Sequence, residues 1–170
     1  MSKKLTAELI SMRTKCDRLD SIKNLNLWGN DLEDINILKD LQNLEVVSLS
    51  VNRIRTLKPF GFLKSLKELY LRKNMVTDIT EVKFLINCPN LRTLWLSENP
   101  VAEKTKNYRL CILKTLPQIT KLDDTPISME ERKNADNLSL DAFDNSPEDD
   151  GEIEEEDFDM IQNNNKGRII

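Results

Sequence analysis

Histidine is absent from all 170 residues, which removes the commonest general base and metal ligand. Glycine is scarce as well. The four glycines, at positions 29, 61, 151 and 167, are too scattered to build a phosphate-cradling loop. Cys16, Cys88 and Cys111 form no C-x-x-C pair, and Cys16 and Cys111 fall on apolar helical stripes, so core packing is their expected role. No secretory leader and no long apolar run occurs, which points to a soluble protein of a reducing compartment. In that setting the glycosylation triplet Asn137-Leu138-Ser139 carries no meaning. Catalytic, cofactor and metal chemistry all lack their usual residues. The sequence therefore predicts a protein that is not an enzyme and needs no cofactor, metal or small-molecule substrate.

What the chain has is a period. Asn30, Asn52 and Asn74 are 22 residues apart, and Asn99 follows after 25. Each closes one frame, L-x-x-L-x-L-x-x-N: Ile22-Leu25-Leu27-Asn30, Leu44-Val47-Leu49-Asn52, Leu66-Leu69-Leu71-Asn74 and Leu91-Leu94-Leu96-Asn99. Two residues later comes another aliphatic, at Leu32, Ile54, Val76 and Val101. This is a leucine-rich-repeat frame. Its alternating centre turns one strand face inward, and neighbouring units must stack to bury that face in a parallel sheet. The Asn amide both donates and accepts, so it can satisfy the backbone of the turn that leaves each strand. The predicted fold class is α/β, a solenoid of about four to five repeats with helical caps. Leu57-Phe60-Leu63 and Ile79-Val82-Leu85 should line the core from the convex side. The three extra residues before Asn99 should lengthen one convex connection around Asn87-Cys88-Pro89-Asn90.

Four segments are expected. Residues 1–20 form an N-terminal cap helix carried by Leu5, Leu9, Met12, Cys16 and Leu19. Residues 21–104 hold the repeats. Residues 105–133 close the solenoid with a helix from Tyr108 to Leu116 stopped by Pro117, a last strand at Ile119 and Leu122, and a capping box at Ser128-Met129-Glu130-Glu131. Residues 134–170 form an acidic tail with 12 acidic and 2 basic residues, against 17 and 23 in residues 1–133. From Asp144 to Asp159 there are ten acids and no base. Such a segment repels itself and is expected to be disordered. It either solvates the chain, folds back on the basic domain or meets a basic partner, and Ser146-Pro147 could accept a phosphate.

The concave face should carry Asn24, Asn26 and Trp28; Val46, Ser48 and Ser50; Glu68, Tyr70 and Arg72; Thr93, Trp95 and Ser97. Both tryptophans and one of the two tyrosines of the chain lie in these outward slots. Trp28, Ser48, Tyr70, Arg72 and Trp95 are the candidate partner-binding residues, since exposed aromatics beside an Arg make binding hot spots. Trp28 has a competing role, packing under the cap helix. Basic residues show no single stripe, which speaks against nucleic acid.

Leu25-Asn26-Leu27-Trp28-Gly29, Leu44-Glu45-Val46-Val47-Ser48-Leu49-Ser50-Val51-Asn52 and Leu94-Trp95-Leu96-Ser97-Glu98-Asn99-Pro100 add a resemblance. With Tyr108-Arg109, Leu113-Lys114-Thr115-Leu116-Pro117 and Lys121-Leu122-Asp123, they resemble the cilia- and flagella-associated members of the SDS22-like class of intracellular leucine-rich-repeat proteins. The resemblance implies a cytoplasmic scaffold of the cytoskeleton at the basal body of the cilium or flagellum. It would act in cilium assembly and bind a NIMA-related kinase. The self-associating C-terminal helix usual in that family has no counterpart in residues 134–170, so a monomer is expected. Two nuclear classes share the fold. One is the A′ subunit of the U2 small nuclear ribonucleoprotein, which holds an RNA-binding partner. The other is the acidic leucine-rich nuclear phosphoproteins, which serve as histone chaperones or phosphatase regulators.

Overall fold

The computed structural model describes residues 2–139; the acidic stretch Asp144–Asp159 and Ser146-Pro147 lie outside the described residues. Each repeat contributes one three-residue strand: β2 (Asn24–Asn26), β4 (Val46–Ser48), β5 (Glu68–Tyr70) and β6 (Thr93–Trp95). A short strand, β1 (Lys3–Lys4), precedes them, and β3 (Leu32–Asp34) lies between β2 and β4. At the other end β7 (Lys121–Leu122) and β8 (Thr125–Pro126) complete the main sheet, ordered β2-β4-β5-β6-β7-β8. All pairings in it are parallel except β7 with β8. The register follows the frame, with Leu25, Val47, Leu69, Leu94 and Leu122 side by side. These five form one buried rung.

The convex side is built of 3₁₀ turns at Asn36–Asp40, Lys58–Phe62 and Ile79–Asn87. Leu57, Phe60, Leu63, Val82 and Leu85 are fully buried there, while Ile79 is half-buried. The three extra residues do not sit at Asn87–Asn90. Leu41, Leu63, Cys88 and Leu116 each precede the frame's first aliphatic by the same bonded turn, Leu44 N to Leu41 O, Leu66 N to Leu63 O, Leu91 N to Cys88 O and Ile119 N to Leu116 O. Cys88 therefore occupies a leucine position, and the insertion lies earlier, in the longer segment Ile79–Asn87. A 3₁₀ helix has about 3 residues per turn. Adding one such turn lengthens the connection and leaves the inward side chains in phase.

The asparagines form the expected ladder. Asn52 Nδ2 donates to the carbonyls of Leu27 (3.0 Å) and Leu49 (2.8 Å), and its Oδ1 accepts from the amides of Leu32 (2.9 Å) and Asn30 (3.1 Å). Asn74 and Asn99 repeat the pattern one and two units on. The residue before each Asn has a left-handed φ: Gly29 at 67°, Val51 at 59°, Lys73 at 55° and Glu98 at 58°.

The caps differ from their sequence reading in detail. The N-terminal helix α1 spans Ala7–Thr14, capped by the Thr6 hydroxyl accepting from Leu9 N and ended by left-handed Lys15. A continuous helix over residues 1–20 is thereby excluded. Its core anchor is Ile10, and Met12 is 76% exposed. Leu5 is buried because β1 and the bond from Leu5 N to Asp34 O pin it beside β3. Arg13 Nη2 reaches Asn30 Oδ1 at 3.2 Å, so the cap helix supplies the donor that a preceding repeat would otherwise give.

At the other end, α2 (Pro100–Lys104) and α3 (Tyr108–Thr115) lead into β7. Helix α4 (Met129–Asp136) opens on the expected Ser128–Glu131 capping box. It runs beyond residue 133 because Ala135 is buried. Arg109 joins α3 to α4 through Glu131 Oε1 at 2.8 Å and to β7 through the Leu122 carbonyl at 3.0 Å.

Candidate partner-binding face

Parallel register places Asn26, Ser48, Tyr70 and Trp95 in one row across the concave sheet. Their inward neighbours Leu25, Val47, Leu69 and Leu94 fill the core, so the row itself owes nothing to packing beneath it. Tyr70 and Trp95 lie on adjacent strands with ring centroids 6.0 Å apart and planes tilted by 52°, a favourable aromatic geometry. Both are half-buried. Their polar ends are occupied, the Tyr70 hydroxyl donating to Glu68 Oε1 at 3.2 Å and Trp95 Nε1 to Ser97 Oγ at 2.6 Å. Burial, helped by the Glu68 charge, raises the Tyr70 pKa. The hydroxyl therefore stays protonated at neutral pH.

Arg72 stands two residues beyond Tyr70 and is exposed. Its Nε donates to Glu98 Oε1 at 2.7 Å, and Lys73 Nζ reaches Glu98 Oε2 at 3.5 Å. The Arg72 hydrogen bond holds the Glu98 carboxyl below its usual range. Arg72 is thus a shared donor, with Glu98 already on part of its fork. Glu98 was absent from the sequence-derived set, although its place one repeat beyond Lys73 in the frame was a usable signal.

Trp28 is 62% exposed. At that exposure it does not pack under α1, so the cap role read for it is set aside. It also stands apart from the aromatic pair, with Ser48 and Ser50 of the intervening repeat between them. Ser48 itself helps floor a shallow hollow with Asn24, Asn26, Val46 and Tyr70, bordered by Arg13 of α1. The structure therefore joins Ser48, Tyr70 and Trp95 into one surface, keeps Arg72 beside it and leaves Trp28 at its margin.

The ladder asparagines play a different part. Asn30, Asn52, Asn74 and Asn99 are buried and hold turns, with no face toward a partner. Asp123, which the sequence shows only as part of the Lys121-Leu122-Asp123 resemblance segment, finishes the series. Its Oδ1 accepts from the amides of Leu96 (2.7 Å) and Ser97 (2.9 Å), fixing the strand end that carries Trp95. The Tyr108 hydroxyl donates to Asp123 Oδ2 at 3.2 Å, and burial raises the Tyr108 pKa. Among the described residues no cluster of His, Cys, Asp and Glu could hold a metal ion, and no helix is long and apolar enough to cross a membrane.

A curved parallel sheet with an asparagine ladder, 3₁₀ turns on its back and an open front defines a leucine-rich-repeat solenoid. The chain belongs to the leucine-rich repeat family, whose model matches residues 10–146. It is 45% identical to an uncharacterised protein of Caenorhabditis elegans over 78% of its length, which covers 29% of that protein. It is 42% identical to human cilia- and flagella-associated protein 410, over 78% of this chain and 52% of the relative. The chain thus spans about half, or less, of the curated relatives it matches. Among solved structures, a chain of the Drosophila melanogaster SNF/U2A′ complex superposes with a TM-score of 0.68 at 25% identity, covering 79% of this chain and 91% of that one.

Proposed function

We propose that this protein is a non-enzymatic scaffold of the cilium that captures a protein partner on its concave face. The observation that carries this reading is the Tyr70–Trp95 pair, two large aromatics held at the centre of the sheet in positions the core does not use. Half-exposed aromatic surface of this kind gives a partner an anchor that is easily desolvated. Ser48 extends the surface on one side, Arg72 offers a charged edge and Trp28 forms the margin. The likeness to human cilia- and flagella-associated protein 410 supports a ciliary setting. The finer assignment, a basal-body role in cilium assembly with a NIMA-related kinase as partner, rests on that family resemblance.

A second reading has its own support. The Drosophila chain with the same architecture was solved within the SNF/U2A′ complex, which favours a nuclear adaptor. A tagged full-length copy in a ciliated cell separates the two. Signal at the base of the cilium, beside a centriolar marker, is the expected result. Confinement to the nucleus overturns the ciliary reading in favour of the adaptor.

A further inference from the structure

Five basic residues, far apart in the sequence, meet at one edge of the solenoid. This is the edge where the convex turns feed into the strands, bounded by the loops at residues 63–67, 87–92 and 116–121. Side-chain bonds tie these loops together. Lys64 Nζ donates to Asn87 O at 3.3 Å, Asn90 Nδ2 to Lys64 O at 3.4 Å and Gln118 Nε2 to Cys88 O at 3.3 Å. Lys67 and Arg92 line a shallow hollow there, with Val46, Glu68 and Thr93 as its floor, and Lys121 is in register with Thr93 on the next strand. Arg132 reaches the same loop from α4, binding the carbonyls of Pro117 (2.8 Å) and Ile119 (2.7 Å).

Charge at this edge is unbalanced. Lys64, Lys67, Arg92, Lys121 and Arg132 are five cations, and the acids beside them are Glu45 and Glu68 on the strands and Glu130 and Glu131 in the first turn of α4. Lys67 is ion-paired with Glu45 at 3.0 Å. Among the described residues the Arg92 guanidinium bonds to the carbonyls of Pro89 and Leu91, which use its donors without cancelling its charge, as the loop carbonyls do for Arg132. The chain also leaves the described residues beside this edge. Lys114 Nζ binds the Asp136 carbonyl at 2.9 Å, and Ser139 follows three residues later.

We propose that the acidic segment Asp144–Asp159 docks on this basic edge, with Lys67, Arg92 and Lys121 as its principal contacts. Its composition fits, ten acids and no base against a surplus of cations. Its tether fits too. Arg132 of α4 already touches the loop at Pro117 and Ile119, α4 ends four residues later at Asp136, and residues 140–143 add a reach of at most about 14 Å. A tether this short gives the segment a high effective concentration at the edge. Bound there, it flanks the concave face and competes with any acidic ligand for the same three cations. This inference rests on charge and position alone, and it stands whether the partner of the concave face is ciliary or nuclear.

The test uses the full chain carrying Cys16→Ser and Ser146→Cys, with a nitroxide on the new thiol and isotope label for amide NMR. Cys88 and Cys111 are buried and stay unlabelled. At low salt the amides of residues 64–67, 90–93 and 119–122 should lose intensity, and they should recover as salt shortens the screening length. Adding Lys67→Gln, Arg92→Gln and Lys121→Gln should abolish the loss, with an unchanged amide spectrum elsewhere showing that the domain still folds. Broadening at α1 or on the convex turns, or none at all, overturns the proposal. So does broadening that arises only between a labelled copy and a spin-labelled second copy. If an RNA oligonucleotide shifts these amides while the spin label leaves them unchanged, the edge is a nucleic-acid surface and the proposal fails.

Discussion

Asn74 and Leu49 are joined across the repeat boundary, Asn74 Nδ2 donating to the Leu49 carbonyl at 2.9 Å. The same amide nitrogen also binds the Leu71 carbonyl within its own repeat, at 3.1 Å, while Oδ1 accepts from the amide of Ile54. One side chain thus satisfies backbone groups of two successive turns. Asn52→Ala, which removes the rung with the most partners, should cost about 1–3 kcal/mol for each buried group left without a bond. Urea unfolding of the purified domain measures it. An unchanged midpoint would mean that water replaces the amide and that the ladder is not a source of stability.

Val51 precedes Asn52 with φ at 59°. A β-branched residue in the left-handed region is strained, and the equivalent slot in the first repeat holds Gly29. Its conformation is fixed from both sides, because Val51 N donates to Arg72 O at 2.9 Å and the next residue is a ladder asparagine. Val51→Asn should therefore raise stability by about 1 kcal/mol, the scale of the left-handed penalty. Val51→Ala keeps the Cβ strain and should show no such gain. Equal midpoints for Asn and Ala would locate the cost elsewhere.

Cys88 fills a leucine position, fully buried, with Sγ 3.1 Å from Phe60 O. Burial pushes its pKa from 9.0 up to about 12. The folded state therefore keeps a proton that the unfolded chain releases above pH 9. The stabilisation is complete below pH 9 and is lost as pH rises toward about 12, at about 1.4 kcal/mol per pH unit. Cys88→Val should remove that share of the alkaline slope. Tyr108, whose pKa is also raised, supplies a remaining slope in both proteins. Stability measured between pH 9 and about 10.5, inside the window this shift opens, decides whether the two slopes differ.

The repeats were legible because their information is periodic and local. Each aliphatic of the frame faces the core for the same reason, and the Asn does the same work in every turn. Features outside the period were read less well. The stripe of Leu9, Met12 and Cys16 has helical spacing, but α1 ends at Thr14, so the burial falls on Ile10 instead. The insertion was placed beside Pro89, where the sequence looks irregular, although an added 3₁₀ turn is invisible once its aliphatics stay in phase. Pairings such as Arg72 with Glu98 or Lys67 with Glu45 join residues about one repeat apart. They belong to the stacking, and a reading of each strand by itself passes over them. The basic edge belongs to the stacking in the same way, since its cations come from three loops and a helix.

Tyr70 and Trp95 together make the sharpest test of the concave face. Each is anchored by a residue two positions away in the chain, Glu68 and Ser97, and neither belongs to the buried core. Replacing both with Ala removes the tilted ring pair while the rung below it, Leu69 and Leu94, stays buried. The fold should survive, with a loss in stability on the scale of an aromatic pair, about 0.5–1.5 kcal/mol beyond the area lost. Partner binding should weaken by at least about 2 kcal/mol, the size of a hot spot. Arg72→Ala serves as the comparison, because Glu98 already occupies part of its guanidinium and its removal should weaken binding less than loss of the rings. Isothermal titration with a partner recovered from ciliated cells measures all three proteins on one scale. If the double variant folds and binds as tightly as the wild type, the partner lies off the concave face, and the exposed Trp28 margin and the basic edge become the surfaces to mutate next.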